Sequence, residues 1–232
     1  LAPKRATVLP GPLPSTTRVL WPLPEPPPLV SIVVATRDQA TLLKACVQSI
    51  QNLTTYPCWE LLILDNQSSD PVTLSLLRSF SDDPRIRVLS YPKPFNYSAL
   101  QNFGASHCFG SLIAFLNNDV EVITPDWLEL MVRHALRPEI GAVGARLLYT
   151  DGRIQHAGVA LGIGGFAGHL HRFFPGNAPG YCGRIQLTHQ LSAVTAACLL
   201  IRKSVFEEIC GFDEATFPVA FNDVDLCLKL HA

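Results

Sequence analysis

The segment Val30-Ser31-Ile32-Val33-Val34-Ala35-Thr36-Arg37-Asp38 decides the fold. Its apolar run has the length of a strand buried on both faces, and apart from Ser31 it turns polar only at its last three residues. Apolar residues then recur at helical spacing, at Leu42, Leu43, Cys46, Val47 and Ile50, before a second apolar run from Leu61 to Leu64. That order is strand, helix, strand. A helix over 72–80, a strand over 86–90, a helix over 97–107 and a strand over 112–116 continue it, which predicts an α/β domain with a mostly parallel central sheet and helices on both faces. Thr124-Pro125 offers a capping hydroxyl followed by proline, the expected opening of a helix whose apolar face is Leu128, Met131, Val132 and Ala135.

Past Gly141 the rhythm changes. Shorter apolar runs over 142–148 and 159–163 lead into a stretch rich in Gly, Pro and His that extends to Gln190, and this second half is expected to form a different layer. Residues 196–201 read as one more buried strand, and 204–209 as a short helix ended by Cys210-Gly211. In the last segment Val224, Leu226, Leu228 and Leu230 alternate as in a strand, while Val224, Cys227, Leu228 and His231 fit one helical face; helix is the favoured reading. At the other end, residues 1–28 hold nine of the 19 prolines and read as an extended polyproline linker. The folded domain is then expected over 29–232. A start at Leu1 and a stop inside a helix suggest a fragment, incomplete at its C-terminus and joined to further domains of a larger polypeptide.

The 232 residues, 48% hydrophobic and 16% charged, have the composition of a globular chain and exclude disorder throughout. With 18 Lys+Arg against 19 Asp+Glu, the net charge of -1 leaves no electrostatic footprint for nucleic acid. The seven cysteines form no Cys-x-x-Cys pair and no zinc-like spacing, so they are expected to be free thiols, buried and inert, in a reducing compartment. No apolar run reaches the ~18 residues needed to span a bilayer, and the N-terminus lacks a signal-peptide pattern. The expected location is the cytoplasm, with peripheral contact at the inner membrane face left open.

In an open parallel sheet, ligands bind beyond the carboxyl ends of the strands. Polar clusters stand there after three of the expected strands: Thr36-Arg37-Asp38, Asp65-Asn66-Gln67-Ser68-Ser69-Asp70 and Asn117-Asn118-Asp119. Any one of them could be a turn. Together they suit a nucleoside diphosphate with a hard cation. Asp65 could accept from a base N–H, Asn118 could hold a ribose hydroxyl, and Asp119 could ligate Mg²⁺ or Mn²⁺, since such sites take only one or two protein carboxylates beside phosphate oxygens.

These blocks also carry a resemblance. Ser31 to Arg37, Leu64 to Asp70, Phe115-Leu116-Asn117-Asn118-Asp119-Val120-Glu121, Gly211-Phe212-Asp213-Glu214 and Phe221-Asn222-Asp223-Val224-Asp225, in this order, resemble family 2 inverting glycosyltransferases over residues 29–232. Phe95-Asn96-Tyr97-Ser98-Ala99 and the stretch from Ser192 to Cys198 make the chain most similar to bacterial enzymes of O-antigen and rhamnan assembly. The resemblance implies a GT-A fold and transfer of a sugar from a nucleoside diphosphate, dTDP-rhamnose as the first guess, to a glycan or lipid-linked glycan acceptor. It implies Thr36, Arg37, Asp65, Asn102, Asn118 and Asp119 at the sugar donor, with Asp119 on a divalent cation. Asn stands at 117 and 118, where the family often has Asp, which removes negative charge from the cation site.

Asp223 matches the family's general base, with Asn222 and Asp225 beside it as candidates near the acceptor. Its alternative is a carboxylate that serves the start of a helix. Inversion needs only one such base, which takes the proton of the attacking hydroxyl as the new bond forms.

Between Asp151 and Glu207 there is no acidic residue, while Arg153, Arg172, Arg184, Arg202, Lys203 and four of the seven histidines fall inside. This segment invites an anion, and His169 and Arg172 are its candidates for covering a diphosphate or meeting a lipid-linked acceptor. Two rivals remain. Gly162-x-Gly164-x-x-Ala167 imitates a dinucleotide fingerprint, but Pro175 and Gly176 leave little room for the helix it needs, and no acidic residue follows about 20 positions on. The other rival is a catalytically degenerate module that binds nucleotide or glycan, because fold resemblance does not settle activity.

Overall fold

In the computed structural model, which describes residues 6–231, the described residues open with a hairpin rather than an extended polyproline segment. β1 (Thr7–Pro10) pairs antiparallel with β2 (Thr17–Leu20). The turn closes through Gly11 N–H to Thr16 O at 2.8 Å and the Thr16 hydroxyl to Leu13 O at 2.6 Å. Pro12 and Pro14 fall in that turn, where no ladder N–H is required, so the proline content does not block pairing. Residues 21–28 then lie against the domain. Arg133 donates to Trp21 O, the Arg137 guanidinium stands 4.3 Å over the Trp21 ring, and the Tyr56 hydroxyl donates to Pro28 O at 2.6 Å. Residues 1–5 of the expected linker lie outside the described residues.

β3 (Val30–Thr36), α1 (Ala40–Leu53), β4 (Trp59–Asp65), α2 (Pro71–Ser79), β5 (Ile86–Ser90), α3 (Tyr97–Ser106) and β6 (Leu112–Asn117) follow in alternation. Their four strands are parallel, in the order β5, β4, β3, β6. The two-residue period of a strand sorts side chains to opposite faces. Ile32, Val34, Leu61 and Ile63 pack against α1 and α2, whereas Val33, Leu62, Leu64 and Phe115 pack against α3. Burial on both faces is why the run carries almost no polar residue. Its one interior exception, Ser31, donates to Glu60 Oε1 at 2.6 Å and accepts from Gly110 N–H at 2.8 Å, while Arg87 neutralises Glu60 at 3.0 Å.

α4 (Trp127–Ala135) buries the expected face, Leu128, Met131, Val132 and Ala135. Its start differs from expectation. Pro125 O is occupied by Thr55, through N–H at 3.0 Å and hydroxyl at 2.9 Å, which holds Thr124-Pro125 in a turn before the helix. The run 142–148 also divides, into β7 (Ala142–Gly144) and β8 (Leu147–Leu148), because Arg146 between them reaches out to Ile185 O and Gly176 O, each at 3.3 Å. β8 pairs with β9 (Ile154–His156), and β10 (Val159–Leu161) pairs with β11 (Ala167–His169).

β12 (Cys198–Arg202), α5 (Lys203–Glu208) and α6 (Asn222–Lys229) complete the chain. The expectation of a separate second layer holds only for the hairpins. β12 joins the main sheet antiparallel to β6 and carries β7 on its far side, giving the order β5, β4, β3, β6, β12, β7. It buries Cys198 and Leu200 on one face and Leu199 and Ile201 on the other, as an interior strand must. All seven cysteines are free, and burial pushes Cys46 and Cys198 up to about 12 and Cys108 and Cys227 up to about 11. Cys182 and Cys210 are exposed, against the expectation of burial, because both sit in turns with positive φ.

α3 reaches the sheet through Gly104. A methyl there would stand 2.6 Å from Val33 Cγ1 and 2.7 Å from Leu64 Cδ1. Overpacking a tight core costs about 1–3 kcal/mol, which exceeds the roughly 1 kcal/mol that alanine contributes to a helix. Gly104→Ala is therefore expected to lower the urea midpoint, and an unchanged or higher midpoint would contradict this packing.

Candidate active site

Parallel register places the polar strand ends side by side. Thr36 stands opposite Asp65, and Ala35 opposite Asn117. The loops that follow are tied to one another. Asp38 N–H donates to the Ser68 hydroxyl at 2.8 Å, and Asp38 Oδ1 accepts from Ser69 N–H and Asp70 N–H, both at 2.8 Å. Ser68 N–H donates to Asp65 Oδ1 at 3.0 Å, and Asp70 caps α2 through Thr73 N–H at 2.9 Å. Asp38, Gln39 and Gln67 all adopt positive φ, backbone strain of the kind that gathers at ligand sites and persists only where the surroundings impose it. Asp38 thus fixes both loops. Its type and place after a strand were visible in the sequence; its partners, 30 or so residues away, were not.

Thr36 is buried and links the first loop to the third. Its hydroxyl accepts from Asn118 Nδ2 at 3.1 Å and donates to Asp38 O at 3.2 Å. Asp119 and Arg37 are exposed beyond these anchored residues. Asp119 and Glu121 face the Cys46 thiol closely enough to add to the rise that burial gives it. Among the described residues, no three His, Cys, Asp or Glu side chains gather into a metal cage. The donor set still fits a cation shared with a diphosphate, because one exposed carboxylate suffices when phosphate and water oxygens complete the shell.

A second carboxylate reaches the same sheet edge from the far end of the chain. Antiparallel pairing of Cys198 with Leu116 brings residues 195–197 beside Asn117, whose N–H donates to Ala197 O at 3.1 Å. Ala196 N–H donates to Asp223 Oδ2 at 3.2 Å, and Ala196 O accepts from the Tyr97 hydroxyl at 3.3 Å. That hydroxyl also lies 3.5 Å from Asn117 Oδ1. Burial, then the nearby Asp223 carboxylate, pushes the Tyr97 phenol well above its ordinary range, so it stays a neutral donor. One peptide and one phenol thus join the 117–119 turn to Asp223. Sequence reading gave neither a role.

Asp223 is not the cap of α6. Phe221 occupies that position at φ 60, and Asp223 Oδ1 accepts from Val224 N–H at 2.9 Å. A cleft of about 260 Å³ opens over it, lined by Val159, Gly168, His169, Phe221, Asn222 and Asp223 among others. A larger cleft of about 540 Å³, between Lys44, Gln48 and Asp83, is lined by none of the strand-end residues. His169 stands in the Asp223 cleft with its Nδ1 2.9 Å from His156 Nδ1.

Asn222 lines the Asp223 cleft, whereas Arg172, Asp225 and Asn102 do not. Arg172 Nε donates to the Tyr149 hydroxyl at 2.8 Å, and its guanidinium stacks 4.8 Å over Phe173. Asp225 pairs with Lys229 at 2.7 Å. Asn222 is buried and anchors α6 to α3 through Ser98 Oγ at 3.1 Å. Asn102 clamps Phe212, donating to its carbonyl at 2.9 Å and accepting from its N–H at 3.0 Å.

A sequence model of glycosyl transferase family 2 matches residues 31–210. The chain belongs to that family. Protein y4gI of Sinorhizobium fredii is 49% identical over 99% of this chain and 25% of its own length. The O-antigen biosynthesis protein RfbC of Myxococcus xanthus is 43% identical over 96% of this chain and 17% of its own length. The family 2 domain described here therefore spans a quarter or less of these relatives. In fold it is a GT-A glycosyltransferase. It resembles a Pyrobaculum calidifontis mannosyltransferase solved with GDP-Man and Mn²⁺, at TM-score 0.63 and 17% identity over 88% of this chain and 52% of that one. It also resembles GalNAc-T7 solved with UDP, GalNAc and Mn²⁺, at TM-score 0.66 and 13% identity over 88% and 40%. No described helix of this glycosyltransferase domain is long and apolar enough to cross a membrane.

Two measurements test this geometry. Asn102→Ala removes both bonds to the Phe212 backbone, so a stability loss of about 1–3 kcal/mol is expected in urea unfolding, with sugar-donor affinity unchanged. His156 is held down to about 3, first by burial and then by His169. The unfolded chain takes up that proton from about 6.5 downward and the folded chain only near 3, so stability is expected to fall as the pH is lowered through this window. His156→Gln should flatten the slope of stability against pH there, and an unaltered slope would refute the assignment.

Proposed function

We propose that this domain performs inverting transfer of a sugar from a nucleoside diphosphate to a hydroxyl of a bacterial surface glycan or lipid-linked glycan. The observation that carries the proposal is the bridge from Asn117 through Tyr97 and Ala196 to Asp223, which ties a cation-competent turn to a carboxylate in a cleft. Thr36, Arg37 and Asp65 are assigned to the nucleotide, and Asn118 to the ribose. Asn118 gives one amide N–H to Thr36, which orients Oδ1 to accept from a sugar hydroxyl. The protein edge is acidic, with Asp38, Asp65, Asp119 and Glu121 against Arg37, so a bare diphosphate would be repelled. Mg²⁺ or Mn²⁺ held by Asp119 would supply the positive charge that the leaving diphosphate needs.

Asp223 acts as the base. Ala196 N–H and Val224 N–H orient its carboxylate, which takes the proton of the acceptor hydroxyl while the hydroxyl oxygen bonds to C1 and the C1–O bond to the diphosphate breaks. Inversion follows because attack and departure occupy opposite faces of the sugar. RfbC, by its name an O-antigen biosynthesis protein, supports a polysaccharide acceptor, and dTDP-rhamnose is the donor to be tried first.

Thermal-shift measurements with UDP-, dTDP- and GDP-sugars, with and without Mn²⁺, identify the donor, since a ligand of the native state raises its melting temperature. Cation and nucleotide are expected to stabilise together far more than either alone, and Asp119→Asn to abolish that synergy. Asp223→Asn is expected to keep donor binding and to lose transfer by about 10²–10⁴-fold. Equal residual turnover in wild type and Asp223→Asn would instead identify a degenerate binding module, a reading favoured by the Asn residues at 117 and 118.

A further inference from the structure

The His156 and His169 side chains form a hydrogen-bonded chain that ends in the Asp223 cleft. His156, on β9, is 2% exposed. Its Nε2 faces Thr195 N–H at 3.4 Å, and a backbone N–H can only donate. His156 Nε2 must therefore carry the lone pair. Buried and with no carboxylate bonded to it, the ring is neutral, held down to about 3 by burial and then by His169, so its single proton sits on Nδ1. That Nδ1–H meets His169 Nδ1 at 2.9 Å, and the bond forms only if His169 Nδ1 is the acceptor. A neutral His169 then has its proton on Nε2. The reverse polarity would set two donors, Thr195 N–H and His156 Nε2–H, against each other.

We propose that His156 is a positioning residue that locks His169 as an Nε2–H donor, and that His169 binds an oxygen of the acceptor sugar beside the hydroxyl that Asp223 deprotonates. The second half of this proposal rests on the transferase reading above. Three groups face His169: His156 from β9, Asp223 from α6 and Arg172 just past β11. Burial lowers its pKa, Asp223 opposes and Arg172 adds. The bond from His156 Nδ1 is what sets the tautomer of the neutral ring. Other donors for the cleft are fewer: Asn222 gives its Nδ2 hydrogens to Ser98 and Val219, and Asp225, a carboxylate, pairs with Lys229.

The experiment combines a spectrum with kinetics on the whole chain. Histidine ring ¹⁵N spectra are expected to show His156 as the Nδ1–H tautomer and His169 as the Nε2–H tautomer, and His156→Ala to release His169 into a tautomer mixture. Octyl glycosides (rhamnoside, mannoside, glucoside, N-acetylglucosaminide) serve as acceptor probes, with the nucleotide sugar that stabilises the protein most. For the probe used fastest, His169→Ala is expected to raise acceptor KM about tenfold, the loss of one hydrogen bond, with donor KM unchanged. His169→Gln, which returns an N–H to the Nε2 position, should recover most of that loss. An Nδ1–H tautomer at His169, an unchanged acceptor KM or a failed glutamine rescue would overturn the proposal. A wild-type chain with no turnover of any probe would remove the transferase reading and the acceptor role with it, whereas the ring spectra decide the histidine pair independently.

Discussion

Everything at the site hangs on the register of β3 with its two parallel neighbours. Because Thr36 is level with Asp65 and Ala35 with Asn117, three loops leave the sheet at one height, close enough for their polar groups to bond. A shift of one residue would turn Ile32 and Val34 to the α3 face and Ser31 into the α1 layer, so burial on both faces enforces the register strongly. The loops then reinforce it. Asp38 collects N–H groups from Ser69 and Asp70, and Thr36 accepts from Asn118. These bonds surround Asp38 and Gln67, whose positive φ persists only where neighbouring structure imposes it.

The antiparallel strand β12 supplies what a purely parallel sheet lacks. A parallel neighbour would bring its C-terminal end to this edge and another loop with it. β12 brings its N-terminal end, preceded by the 195–197 segment, whose peptide groups are still free to bond sideways. Ala196 uses both of its groups: N–H to Asp223 and carbonyl to Tyr97. The first residue of α3 and the second of α6 are thereby joined through a backbone unit that itself cannot move without breaking the β6–β12 ladder. Two distant carboxylates, Asp119 and Asp223, gain a shared frame without touching.

The sequence revealed what periodicity and strand-end chemistry can encode. The buried run at 30–36, the α4 face and the three polar clusters are properties of neighbours along the chain, and each stands where expected. Features decided by remote partners were not legible. Pro125 was withheld from α4 by Thr55, and 142–148 was split by the reach of Arg146. β12 reads as a buried strand in either layer, since its apolar run does not say which sheet it enters. Asn102, Asp225 and Arg172 have the chemistry of site residues, but Phe212, Lys229 and Tyr149 absorb it. The Ala196 peptide has no side chain to announce it, and His156 lies 13 residues from a partner on another hairpin.

Charge is distributed along the chain in a way that matches the two halves of the site. Carboxylates crowd the loops between 38 and 121, where a cation and a diphosphate would have to be reconciled, and none occurs between Asp151 and Glu207, the segment that roofs the Asp223 cleft. A basic roof carries a hazard. An imidazolium directly over Asp223 would draw its carboxylate into an ion pair and away from an incoming hydroxyl. His156 is buried against Thr195 N–H and coupled to His169, so in the proposed tautomer the ring lining the cleft would offer an N–H without a full charge. Arg172 and Arg153 are stacked over the Phe173 ring, so their charge stays beside the cleft rather than in it. Neutral polarity next to Asp223, with full charge held one layer back, is what the proposed role of base requires, because an unpaired carboxylate is free to take a proton.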